Sequence, residues 1–278
     1  MASQRLTLHL DPVRSAENLL VMLDVLARNP EIIYPDYTAI LGCIRKDYDF
    51  TDRTEPLSLA RLLGLLVTKD HGISLSRLAQ VIVEMRPAVR ADLLHFLLAT
   101  AWHDGADPGL GCAWTYRVFC NRLWSRGTAE LNSSECRRTV ADLLSTAQAT
   151  FPELRLAALS LKSIRGMRKW LEALDPPVIC GQVFRRRDVC SPELLLLAVG
   201  QVAKEDGASV GVDLLLTPAR REAICCLCLL EPASLDRALD RTISAFPAFI
   251  EPGTRTGAYG RFLRLKAFPT IEALGAER

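Results

Sequence analysis

The side chains best placed for chemistry in this 278-residue chain are cationic and lie in its second half. Lys162, Arg165 and Lys169 recur at helical spacing, and Arg185, Arg186 and Arg187 follow as a run. Arg237 and Arg241 form an i, i+4 pair, and Arg255, Arg261, Arg264 and Lys266 crowd a glycine-bearing stretch. Residues 155–187 carry 8 basic against 2 acidic side chains, and residues 253–266 carry 4 against none. The first 150 residues are balanced, at 16 against 17. Ammonium and guanidinium groups neutralise phosphates, and arginine can also pair bidentately with a guanine edge. Nucleic-acid contact, with double-stranded DNA as the expected partner, is therefore the chemistry these residues suit best.

Such side chains need a scaffold with an apolar inner face. At about 100° per residue, a helix over 161–174 groups Ile164, Met167, Trp170, Leu171 and Leu174 on one face. Lys162, Arg165 and Lys169 fall opposite, with Glu172 beside them. Ser160 is the expected N-cap and Asp175-Pro176-Pro177 the stop. Residues 178–187 then read as a short hairpin turning at Cys180-Gly181 and leading into the three arginines. A second set repeats the order. Ser191-Pro192-Glu193 opens a helix, 212–216 is a short apolar strand, and Thr217-Pro218 opens the next helix. A helix over 234–246 places Leu235, Leu239, Thr242, Ile243 and Phe246 inward, with Arg237, Asp240, Arg241 and Ser244 outward. Two strands near 248–251 and 259–268 flank a tip, 253–260, that holds three glycines and Arg255. Asp236 and Asp240 would repel phosphate, so here the wing rather than the helix is expected to make the contact.

The pattern gives a mainly α fold: a helical domain over 1–131, then tandem winged helix-turn-helix modules over 132–190 and 191–278 with short β-wings. The boundary near Leu131 follows the shift in charge. In the first half, helices are expected over 15–28, from Asp36 to about Lys46, and over 57–68, 74–85, 88–102 and 112–125. Asn132 and Glu135 form a capping-box pattern for a helix to about 148, and Pro152 opens a shorter one. Ser74–Ala101 also offers a further helix-turn-helix, with ordinary helix starts as the stronger reading.

Catalytic patterns are missing: no P-loop, dinucleotide fingerprint, G-x-S-x-G elbow or H-E-x-x-H occurs. His95 lies in an apolar helix and reads as a core residue, and a Cys120–His103 dyad is the chance pairing that nine cysteines allow. Cys225-Cys226-Leu227-Cys228 has no second C-x-x-C and no histidine at zinc spacing, so it reads as core packing. No enzymatic activity, metal or cofactor is expected. No apolar run approaches the roughly 20 residues needed to cross a bilayer, and the first residues lack a secretory stretch, so a cytoplasmic location without membrane contact is expected.

The segment from Leu161 to Leu171, followed by an extended pair, resembles winged-helix DNA-binding accessory proteins of bacterial phage-defence islands, the BREX-type accessory proteins in particular. That resemblance covers about a fifth of the chain. It implies a non-enzymatic DNA-binding component that works beside a methyltransferase or ATPase, although the second module departs from that family's shorter form. An alternative is an assembly subunit, in which winged helices mediate homodimerisation or docking in a larger protein complex. RNA binding is a third, with few aromatics near the basic windows to stack on bases.

Overall fold

The computed structural model describes residues 5–11, 14–28, 40, 55–69, 72–103, 105–156, 158–253 and 260–276. It is mainly helical, with four small sheets among the described residues. Strand β1 (Arg5–Leu6) precedes α1 (Ala16–Ala27), α2 (Glu55–Leu62), the hairpin β2 (Leu66–Lys69) and β3 (Gly72–Leu75), α3 (Arg77–Glu84) and α4 (Pro87–Thr100). The helix expected from Asp36 to Lys46 lies outside the described residues apart from Ile40.

Three expectations are corrected here. The helix over 57–68 stops at Leu62, because Gly64 takes a left-handed turn (φ 71°) and the β-branched Val67, Thr68 and Ile73 pair in the hairpin. Ser74 accordingly lies in β3, and Ser76 caps α3 by accepting from the Ala79 amide at 3.1 Å. The short helix expected at Pro152 is a turn that leads into β5 (Arg155–Leu156), which pairs in parallel with β1.

The second half repeats one order of elements. First come α5 (Gly111–Arg126), β4 (Thr128–Glu130), α6 (Ser133–Thr150), α7 (Leu161–Glu172), β6 (Ile179–Cys180) and β7 (Val183–Arg185). Then come α8 (Pro192–Glu205), β8 (Asp213–Leu215), α9 (Pro218–Cys228), α10 (Leu235–Ala245), β9 (Ile250–Pro252) and β10 (Phe262–Leu265). A terminal helix, α11 (Ile271–Ala276), packs back on α3. In both sets the last strand sits in the middle of an antiparallel sheet, giving the orders β4-β7-β6 and β8-β10-β9. The first ladder crosses the expected boundary at 131, because β4 precedes it and pairs Ala129 with Phe184.

Local chemistry explains these elements. Asn132, Ser191 and Thr217 each accept an amide from the first helical turn. Glu135 turns its carboxylate to Arg126 and Arg138. Gly181, at φ 62°, makes the tight turn between β6 and β7. One continuous core joins the first half to both repeats, with Tyr116, Phe119, Trp170 and Phe184 fully buried in it. His95 belongs to this core. Its Nδ1 meets the Tyr116 hydroxyl at 2.7 Å and its Nε2 the Leu227 carbonyl at 2.9 Å. No helix among the described residues is long and apolar enough to cross a membrane.

Candidate nucleic-acid interface

Helix α7 shows the expected division of faces. Ile164, Met167, Trp170 and Leu171 are buried, and Arg165 and Lys169 are exposed. Neither of these two cations forms an ion pair among the described residues, so each keeps its full donor capacity for a ligand. Two neighbours on the same face are committed elsewhere. Lys162 pairs with the buried carboxylate of Asp11 at 2.5 Å. Arg168 meets Glu172 at 3.4 Å and donates to the Gly181 carbonyl at 2.5 Å. That last bond ties α7 to the tip of the β6–β7 hairpin, so helix and hairpin form one surface.

The position of α7 is set by a strap that sequence reading missed. Residues 7–11 and Arg14 lie across its flank. Ser163 Oγ hydrogen-bonds His9 Nδ1, Trp170 Nε1 donates to the Arg14 carbonyl at 2.6 Å, and Gly166 faces the Leu10 carbonyl. A Cβ at Gly166 would lie 2.0 Å from that oxygen, so only glycine permits this approach. The glycine was a visible signal; the segment it accommodates, more than 150 residues earlier, was not.

The three consecutive arginines do not form one patch. Arg185 is exposed at the end of β7 and forms no ion pair among the described residues. Arg186 lies over the Trp124 ring at 4.4 Å, donates to the Trp124 carbonyl at 2.7 Å and meets Glu231 at 3.5 Å. Arg187 is corrected outright. It is 3 % exposed, donates to Asp92 at 2.8 Å and to the Cys228 carbonyl at 2.9 Å, and cannot reach an external ligand. The chain turns inward after β7, where Arg187 makes a parallel bridge with Leu230. A charge carried inside must be paired there.

In the second repeat the cations are arranged oppositely to expectation. The wing residues are neutralised from within: Arg261 meets Asp236 and Asp240 at 3.4 and 2.5 Å, Arg264 meets Asp213 and Glu251 at 2.8 and 3.4 Å, and Lys266 meets Glu251 at 2.9 Å. The hydrogen bond from Arg221 holds the Asp236 carboxyl below its ordinary range, and that from Lys266 does the same for Glu251. The two aspartates that looked unfavourable for phosphate are therefore anchors for Arg221 and Arg261. On α10, Arg237 and Arg241 are exposed and form no ion pair among the described residues; Arg237 reaches Ser234 Oγ at 3.3 Å. Arg255 lies outside the described residues. Arg137, on α6, is a further exposed cation without an ion pair among the described residues, and the sequence reading did not single it out.

A cleft of about 660 Å³ separates α5 and α6 from α8 and α9. Its cations are already committed, Arg117 to Glu205 at 3.2 Å and Arg122 to Asp142. The Cys120 thiol is buried and burial pushes its proton affinity up, the reverse of an activated nucleophile, while His103 is exposed. Comparison with family models, curated proteins and solved structures finds no match to this chain.

Proposed function

We propose that the chain is a non-enzymatic DNA-binding protein built on tandem winged helices, with α7 and the β6–β7 hairpin of the first as its principal contact surface. The observation that carries this reading is the set of uncommitted cations on that surface, Arg165, Lys169 and Arg185, with helix and hairpin joined through Arg168. The repeated element order supports the architecture. Helix, strand, two helices and a hairpin whose second strand takes the centre of the sheet is the winged-helix order, and it occurs twice. On this reading the first module begins at Gly111 rather than 132, since α5 and β4 complete it. Arg137, Arg237 and Arg241 are secondary contacts. Work as an accessory component in bacterial phage defence remains the role that the resemblance implies.

A salt titration tests the proposal. Each neutralised phosphate contributes roughly 0.9 to the slope of log affinity against log salt. Three contacts then cost the protein about 40-fold in affinity between roughly 50 and 200 mM salt. Replacing Arg165, Lys169 and Arg185 by alanine is expected to flatten the slope by about 2.7. Replacing Arg261, Arg264 and Lys266 is expected to leave it unchanged, because their charges are already answered by carboxylates. The reading fails if the wild-type protein does not shift a random duplex at roughly 50 mM salt, or if both triple variants behave alike.

The neutralised wing of the second repeat favours a second reading for that part, a protein-docking module. Light scattering on the whole chain separates the two. A stable dimer that has no affinity for duplex would make assembly the principal function.

A further inference from the structure

We propose that the cleft between the two repeats binds a small organic cation, an ammonium group carried on an apolar body, with Glu222 as the residue that receives the charge. The cleft holds about 660 Å³ and is walled by α5 and α6 of the first repeat and by α8 and α9 of the second. A space of that volume suits a molecule of drug size, and such pockets gather where structural units meet. Val118, Leu143, Val202, Ala219, Ala223 and Leu227 give it apolar ground on all four helices. Two hydroxyls at its edge are turned away from a ligand. Ser125 Oγ donates to the Arg122 carbonyl at 2.9 Å, and Thr146 Oγ1 donates to the Asp142 carbonyl at 2.8 Å. The lining therefore suits a hydrocarbon or aromatic body better than a sugar or polyol, whose hydroxyls would need partners here.

The charges around the cleft decide the sign of its ligand. Two guanidiniums and three carboxylates line it. Arg117 meets Glu205 at 3.2 Å and Arg122 pairs with Asp142, which leaves Glu222. Glu222 is exposed and forms no ion pair among the described residues. Its neighbours on α9 are spent elsewhere, Arg220 on Asp206 and Arg221 on Asp236, each at 2.6 Å. Arg186, stacked over the Trp124 ring at 4.4 Å, is answered by Glu231 at 3.5 Å. Cys226 adds no charge. Its thiol donates to Asn121 Oδ1 at 3.1 Å, and burial pushes its proton affinity up to about 12.

One negative charge is left over beside an apolar space. A carboxylate or phosphate ligand would have to break an existing ion pair and then face Glu222, and like charges brought together disfavour the complex. An ammonium group needs only Glu222, while its apolar body leaves water for the aliphatic walls. Because those walls belong to both repeats, the bound molecule would touch the two modules at once.

The test is a fluorescence titration of the whole chain, without nucleic acid, using two probes of nearly the same shape. Dansylcadaverine ends in a primary ammonium group, and dansyl-ε-aminocaproate ends in a carboxylate. The amine is expected to fill one saturable site, with the acid weaker by at least about tenfold. Glu222→Gln should weaken the amine about fivefold, the worth of a partly exposed charge pair. Glu222→Lys should reverse the order of the two probes. Ala223→Trp fills the cleft from an exposed helix position and should lower the amine's affinity by more than about tenfold. If circular dichroism shows that this variant does not fold, Ala219→Trp on the same wall replaces it. Three results overturn the proposal: no saturable binding of the amine below about 1 mM, equal affinity for the two probes, or an amine affinity unmoved by the tryptophan. The readout involves no duplex, so its outcome is independent of DNA binding.

Discussion

Arg187→Ala should separate a structural arginine from its exposed neighbours. In the folded chain the Arg187 guanidinium answers Asp92 at 2.8 Å, and both side chains are essentially shut off from water. Truncation leaves Asp92 with the Ser191 amide and hydroxyl as its remaining donors and leaves the Cys228 carbonyl without Nε. Breaking a buried pair from one side costs about 3–5 kcal/mol. That is a large share of the roughly 5–15 kcal/mol that holds a domain folded. For a chain of this size the melting temperature should drop on the order of 10 °C. Urea denaturation followed by circular dichroism gives the free energy, and Arg185→Ala, expected within about 0.5 kcal/mol of wild type, is the control. Asp92→Asn/Arg187→Met should recover part of the loss, because no charge is then stranded and the amide oxygen can still accept from Ser191. A loss below about 1 kcal/mol for Arg187→Ala, or no recovery in the double variant, would refute the buried-pair reasoning.

Two other perturbations follow from the same core. Burial lowers His95 to about 4, so the folded state keeps it neutral while an unfolded chain takes up a proton near its ordinary value of 6.5. Its contribution is therefore complete above pH 6.5 and is lost as pH falls towards 4, to a total on the order of 3 kcal/mol. The difference in stability between wild type and His95→Gln, measured across that window, should carry this slope; a difference independent of pH would count against it. Gly166→Ala sets a gain in helix propensity of about 1 kcal/mol against a Cβ placed 2.0 Å from the Leu10 carbonyl. The clash is with backbone, so overpacking should win by about 1–3 kcal/mol, with faster amide exchange in residues 7–11. A stabilised variant would show that the strap yields.

What could be read in the sequence was the chemistry carried within a few residues. Asn132, Ser191 and Thr217 cap as their types suggest, Gly181 turns its hairpin, and α7 faces inward with the residues its periodicity selects. Failures came where a distant partner decided the outcome. Three adjacent arginines look alike until Trp124, Glu231 and Asp92 claim two of them from other elements. Strand β4 is three residues long, and only its pairing with β7 defines it. The β2–β3 hairpin was hidden in an apolar run whose length suited a helix, where Gly64 was the one local clue.

Under the proposed function, the contrast between the repeats bears on how one order of elements would take two roles. A winged helix that binds phosphate must hold cations uncommitted, at a cost in self-repulsion that its ligand later offsets. The first repeat keeps Arg165, Lys169 and Arg185 in that condition. In the second, Asp213, Asp236, Asp240 and Glu251 absorb three wing cations, which removes the repulsion and with it most of the attraction for a polyanion. The pairs of Arg261 with Asp236 and Asp240 are exposed and add little stability, too little for stability alone to explain the carboxylates gathered around this wing. On the proposed reading their larger effect would be on specificity, by screening that face from nucleic acid and leaving it open to a protein surface. Replacing Asp236 and Asp240 by asparagine should then release Arg221 and Arg261 and raise the salt slope of duplex binding by about 0.9 for each of the two that reaches a phosphate. An unchanged slope would mean that the second wing never approaches the duplex, which would confine contact to the first repeat.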